Sequence, residues 1–65
     1  MSDIEFTYRQ KEVIESLADG RTNQEIAEHL GITEKTVKNH IAAIMQKIDA
    51  TNRVQIAKYY YENMR

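Results

Sequence analysis

Apolar residues recur along this chain at helical spacing. Val13, Ile14 and Leu17 fall at i, i+1 and i+4, with Ala18 beside them, and Ile26, Ala27 and Leu30 repeat the arrangement. Val37, Ile41, Ile44 and Ile48 stand at i, i+4, i+7 and i+11. An α-helix returns to the same side every three to four residues, so each set forms one face. Ile56, Ala57, Tyr60 and Met64 supply a fourth face, with Val54 and Tyr61 on a neighbouring one. The polar positions between these sets read as helix starts and stops. Thr7-Tyr8-Arg9-Gln10 and Thr22-Asn23-Gln24-Glu25 both fit a capping box. There the Thr oxygen accepts from the amide three residues on, and that residue's side chain reaches back. Thr33 and Thr51 also precede periodic segments, as N-caps do. Gly20 and Gly31 stand where the first two helices should end, in the left-handed position that glycine adopts most readily. The pattern predicts an all-α fold of four helices, at about 7–19, 22–30, 33–49 and 51–64. One domain covers 7–65, and residues 1–6 form a short acidic arm whose Phe6 is expected to staple onto the first helix.

Composition narrows the function. Sixty-five residues make one domain at most. A domain this small buries only about 60% of its unfolded surface. A deep substrate cavity and a full core do not fit together in it, so no enzymatic role is expected. The absence of Pro and the presence of only two Gly argue against a turn-rich all-β fold. With no Cys, there is no disulfide, thiolate metal site or cysteine nucleophile. His29 and His40 lie on different predicted helices without convergent carboxylates, so no metal is expected. No nucleophile–base arrangement or Gly-rich phosphate loop stands out, and no cofactor or small-molecule ligand is expected. No apolar run approaches the ~18 residues of a membrane span. A cytoplasmic protein follows as the expectation.

Charge is uneven. The formal net charge is −1, but residues 1–20 carry five acids against two bases. Residues 33–53 carry two acids against four bases. The front half is acidic and the back half basic. Nucleic-acid binders are usually basic overall, so attraction to DNA would have to come from a local patch.

The short second helix joins the longer third through Leu30-Gly31-Ile32-Thr33, a three-to-four-residue turn containing Gly, as in a helix-turn-helix. Ala27 is small where the two helices cross. Together with Arg9 to Ile14 (RQKEVI), Leu17 to Gly20 (LADG), Thr22 to Ala27 (TNQEIA), Leu30 to Thr33 (LGIT), Thr36 to His40 (TVKNH), Ile44, Lys47, Ile48 and Arg53, the chain resembles the LuxR/GerE-type DNA-binding domain. The likeness runs from Phe6 to about Met64.

The resemblance implies a four-helix domain that binds double-stranded DNA and regulates bacterial transcription. Its third helix would lie in the major groove, and its fourth would form the homodimer contact. Lys38, Asn39 and Ala42 occupy the positions from which family members reach base edges. Their chemistry suits guanine, adenine and the thymine methyl in turn. Phosphate contacts are expected from Thr22, Asn23, Lys35 and Thr36, because helix N-termini offer free amides to anions, and from Lys47 near the end of the third helix, where the resemblance also places one. Glu12 and Arg53 resemble the family's paired residues, linking the first helix to the fourth. Val54, Lys58 and Tyr61 lie along one stripe and are taken as the dimer seam. The family commonly has Glu where Gln10 stands, and the cap survives with Gln. The triple Tyr59-Tyr60-Tyr61 is unusual for the family.

With six residues ahead of the domain and Met1-Ser2-Asp3 reading as a natural start, a stand-alone GerE-like regulator without a sensor domain is expected. The alternative is a protein-interaction module. It would keep the helix-turn-helix as scaffold and bind RNA polymerase or another regulator through the acidic front and the tyrosine-rich fourth helix.

Overall fold

The computed structural model describes residues 4–65, which contain helices and no strand. Residues 1–3 of the expected arm lie outside the described residues. Helix α1 spans Tyr8–Ala18, α2 Asn23–Leu30, α3 Glu34–Ile48 and α4 Arg53–Tyr59. Helix α4 continues into a π-helical turn over Tyr60–Met64.

The predicted caps form in the first three helices. Thr7 Oγ1 accepts from the Gln10 amide at 3.1 Å while Gln10 Oε1 accepts from the Thr7 amide at 3.0 Å. Thr22 and Glu25 exchange the same pair of bonds at 3.2 and 2.8 Å. Thr33 Oγ1 accepts from the Thr36 amide at 3.1 Å. Each such cap contributes about 1 kcal/mol. Helix α4 departs from the expectation. Its cap is Asn52, whose Oδ1 accepts from the Gln55 amide at 3.1 Å. Thr51 lies one residue outside, and its amide donates to Gln55 Oε1 at 2.6 Å. Asn caps at least as well as Thr, and it stands one residue closer to the apolar face, so the helix begins at Arg53.

Three helices end in the same way. The Arg21 amide donates to the Ser16 carbonyl across Gly20, that of Ile32 to Ala27 across Gly31, and that of Ala50 to Met45 across Asp49. This five-residue closure requires a left-handed residue in the middle. Gly20 (φ +88°) and Gly31 (φ +70°) meet that requirement without strain, and Asp49 (φ +57°) does so as a side-chain-bearing residue. Asp is among the few that tolerate it, at a cost of about 1 kcal/mol.

Each helix sends one fully buried isoleucine to the centre: Ile14, Ile26, Ile44 and Ile56. Val13, Leu17, Ala27, Val37 and Ile41 complete the core, as the apolar spacing predicts. Phe6 packs elsewhere than expected. A staple needs an apolar residue at the fourth helical position, and here that residue is Lys11. The Phe6 ring instead meets Tyr59 edge-on at 5.9 Å and lies 5.5 Å from the Lys47 ammonium. At the other end, the π turn brings Tyr60 and Met64 onto the core. It leaves Tyr61 50% exposed, with its hydroxyl donating to the Ala18 carbonyl at 3.2 Å.

The Glu12–Arg53 pair expected from the sequence is replaced by other partners. Arg53 donates to Asn23 Oδ1 at 2.6 Å and to the Arg21 carbonyl at 3.1 Å. Glu12 lies 3.5 Å from Arg9, one helical turn away. Arg9 reaches Glu12 along the surface of α1, whereas Arg53 faces the loop that leads into α2.

Candidate nucleic-acid interface

Helices α2 and α3 meet through Gly31, and the Gly31 and Ile32 amides both donate to the Ala27 carbonyl. That closure turns the chain sharply enough for α3 to pack across α2. One side of α3 is committed to the core through Val37, Ile41 and Ile44. The opposite side carries Lys35, Lys38, Asn39, Ala42 and Gln46, all exposed. They stand at i, i+3, i+4, i+7 and i+11, a single outward stripe rising roughly 16 Å. Its chemistry is an ammonium pair, two carboxamides and a methyl group, which are the groups that read base edges in the major groove. Lys38, Asn39 and Ala42 therefore lie together on one free face. Gln46 extends that face by one turn and was not singled out from the sequence, although its spacing from Ala42 and Asn39 is visible there.

The proposed phosphate contacts fall into two groups. At the start of α2, Thr22 spends both its hydroxyl oxygen and its amide inside the capping box. The next two amides, of Asn23 and Gln24, belong to the unpaired first turn that suits an anion. The Glu25 carboxylate beside them opposes one. Arg21, Arg53 and Glu34 border an open cleft of about 570 Å³ between the starts of α2, α3 and α4, and Arg21 pairs with Asp19 at 3.6 Å. Asn23 Oδ1 accepts from Arg53, which leaves the Asn23 NH₂ to donate to other partners. At the start of α3, Lys35 is exposed and Thr36 half-buried, its hydroxyl 2.9 Å from that of Thr33.

Lys47 stands apart from both groups, in the last turn of α3. Its Nζ donates to Gln10 Oε1 at 2.7 Å and to the Glu5 carbonyl at 2.9 Å. It is a held side chain rather than a free one. Nothing in the sequence pattern links Gln10 to Lys47 across 37 positions.

On α4, Val54 is 72% exposed, and Lys58 is exposed one turn further on. Tyr61 continues the line only in part, because the wider π turn and the Ala18 bond draw it towards α1. His29 is exposed and His40 half-buried. Among the described residues no group of three metal-ligating side chains converges, and no helix is long and apolar enough to cross a membrane.

Comparison with known proteins gives a consistent picture. The family of bacterial regulatory proteins of the luxR type (GerE) matches residues 5–60. The transcriptional regulatory protein LiaR of Bacillus subtilis (strain 168) is 47% identical over 57 residues, covering 88% of this chain and 27% of LiaR. The transcriptional regulatory protein DesR of the same organism is 45% identical over 49 residues, covering 75% of this chain and 25% of DesR. The CsgBAC operon transcriptional regulatory protein of Escherichia coli (strain K12) is 41% identical over 59 residues, covering 91% and 27%. The chain thus spans about a quarter of the length of these relatives.

Proposed function

Because this chain belongs to the luxR family of bacterial regulatory proteins, we propose that it binds double-stranded DNA sequence-specifically and regulates transcription as a homodimer. The observation that carries this reading is the outward stripe of α3. It is polar and exposed, makes no core contact, and is presented by a helix fixed on its other side. Lys38, Asn39 and Ala42 meet base edges. Lys35, Thr36 and the start of α2 at Thr22 and Asn23 meet phosphates on one side of the groove, and Lys47 meets them at the far end. Val54 and Lys58 form the dimer seam, with Tyr61 at its edge. Two copies then read inverted half-sites about one helical turn apart. The acidic outer faces of α1 and α2, including Glu15 and Glu28, stay clear of the DNA. They are the surface for a protein partner such as RNA polymerase.

With a net charge of −1, long-range attraction is weak. Affinity rests on the local patch and on dimerisation. The test is selection of bound sequences from a random duplex pool, with oligomeric state measured alongside. A recovered inverted repeat supports the reading. Lys38→Ala should then cost about 1–3 kcal/mol of discrimination at one base pair. No retardation of any duplex at low salt, together with capture of a protein partner, would replace it with the interaction-module reading.

A further inference from the structure

We propose that Gln10 is a positioning residue for DNA binding: it holds the Lys47 ammonium in place for a phosphate without neutralising it. The inference deepens the reading of Lys47 as a phosphate contact and rests on it.

Gln10 is buried, 7% exposed, yet its side-chain oxygen serves two donors at once. It accepts from the Thr7 amide, closing the cap of α1, and from Lys47 Nζ at 2.7 Å. The second acceptor on Lys47 is the Glu5 carbonyl, and the Phe6 ring lies beneath the ammonium. All three groups are uncharged. Among the described residues the ion pairs are Arg9–Glu12 and Arg21–Asp19, and Lys47 belongs to neither. No carboxylate among the described residues offsets the charge of this lysine by direct pairing. An ammonium has three N–H groups, two are used here, and the residue remains exposed.

The placement suits a phosphate. Lys47 follows Gln46, the last member of the outward stripe, and successive helical residues are ~100° apart. When the stripe faces the base edges, Lys47 therefore faces the flanking wall of the groove, where the sugar-phosphate backbone runs. A flexible lysine loses much of its rotamer freedom when it contacts a phosphate. Lys47 has already lost it in the free protein, so the contact forms with less entropy to overcome. The identity of residue 10 decides the charge. Glu would preserve the capping box and the bond to Lys47, but it would cancel the positive charge. Gln supplies the same geometry with the charge left intact.

The experiment measures binding to a short duplex of unselected sequence by fluorescence anisotropy across a series of NaCl concentrations. Circular dichroism melts confirm that each variant is folded at the assay temperature. One phosphate contact contributes about 0.9 to the slope of log K against log salt. Lys47→Gln should lower the slope by about that amount, and Gln10→Glu should match it while keeping a near-parental melt. Gln10→Met leaves the charge but removes its support, so binding should weaken about three- to tenfold at nearly constant slope. If Lys47→Gln leaves the slope unchanged, Lys47 is no phosphate contact and the proposal fails with that reading. If Lys47→Gln lowers the slope but Gln10→Glu does not, the contact stands and the positioning role of Gln10 is overturned. Should Gln10→Glu melt too low to assay, Gln10→Met decides, and wild-type affinity in it overturns the proposal.

Discussion

Between Thr22 and Asp49, the backbone at the helix ends is closed by groups a few residues away, namely Thr22 and Glu25, Gly31, Thr33, and Asp49 itself. Long-range ties are added by Arg9 to the Leu30 carbonyl and by Lys47 to Gln10 and Glu5. Past the Asn52 cap, closure becomes long-range. Arg53 reaches back to Asn23 and Arg21, Tyr61 to Ala18, and Tyr59 to Phe6. The α2–α3 hairpin carries its shape in its own sequence. The α4 segment takes much of its shape from α1 and from the loop before α2. The contrast fits the proposed division of labour. A surface that reads bases needs a fixed geometry, whereas a dimerising element gains a partner that completes it.

The largest expected effect tests whether the hairpin side is the stability core. Ile44→Ala empties a fully buried site and should cost about 2–5 kcal/mol. That is a large part of the roughly 3–10 kcal/mol available to a domain of this size. Met64→Ala, in the half-buried π turn, should cost about 1 kcal/mol in the same urea titration. Equal losses would erase the contrast.

Next is the long-range tie itself. Arg53→Ala removes two hydrogen bonds that join α4 to the start of α2, and should lower stability by about 1–2 kcal/mol. Glu12→Ala removes one partly exposed ion pair with Arg9 and should cost less than about 0.5 kcal/mol. A Glu12 variant as unstable as the Arg53 variant would revive the direct Glu12–Arg53 pairing. Then comes the hairpin turn. A Cβ at Gly31 would meet nothing within 4 Å, so Gly31→Ala should cost only the left-handed backbone penalty, about 1 kcal/mol. A loss above about 3 kcal/mol in chemical denaturation would mean that the turn is shaped by packing rather than by its backbone. The smallest effect belongs to Tyr61→Phe, which deletes the exposed bond to Ala18 and should shift stability by about 0.5 kcal/mol. A larger shift, read as more than about 4 °C in melting temperature, would make that contact a principal anchor of α4.

The same contrast explains what the sequence revealed. The four helices, both capping boxes, the glycine closures and the isoleucine core all follow from spacings of three to five residues, and those spacings are written along the chain. The exposed stripe of α3 is the complement of its apolar stripe, so the exposure of Lys35, Lys38, Asn39 and Ala42 follows from the same periodicity, whereas their expected roles at the DNA come from the family resemblance. What the sequence hid was either long-range or conformationally unusual. The partners of Arg53 and Lys47 depend on which side chains converge after folding. Asp49 adopts a backbone that composition assigns to Gly or Asn. The π turn arises where three consecutive tyrosines cannot share one α-helical face, a conflict visible in the sequence but with several possible resolutions.

The outward stripe of α3 has a consequence for how such a protein can change. Lys35, Lys38, Asn39, Ala42 and Gln46 are all outside the buried cluster that holds the domain together. On the proposed reading, replacing them one at a time should alter which sequences are preferred while leaving the melting behaviour almost untouched. On that reading, operator choice and foldability lie on opposite sides of a single rod, and the first drifts without eroding the second.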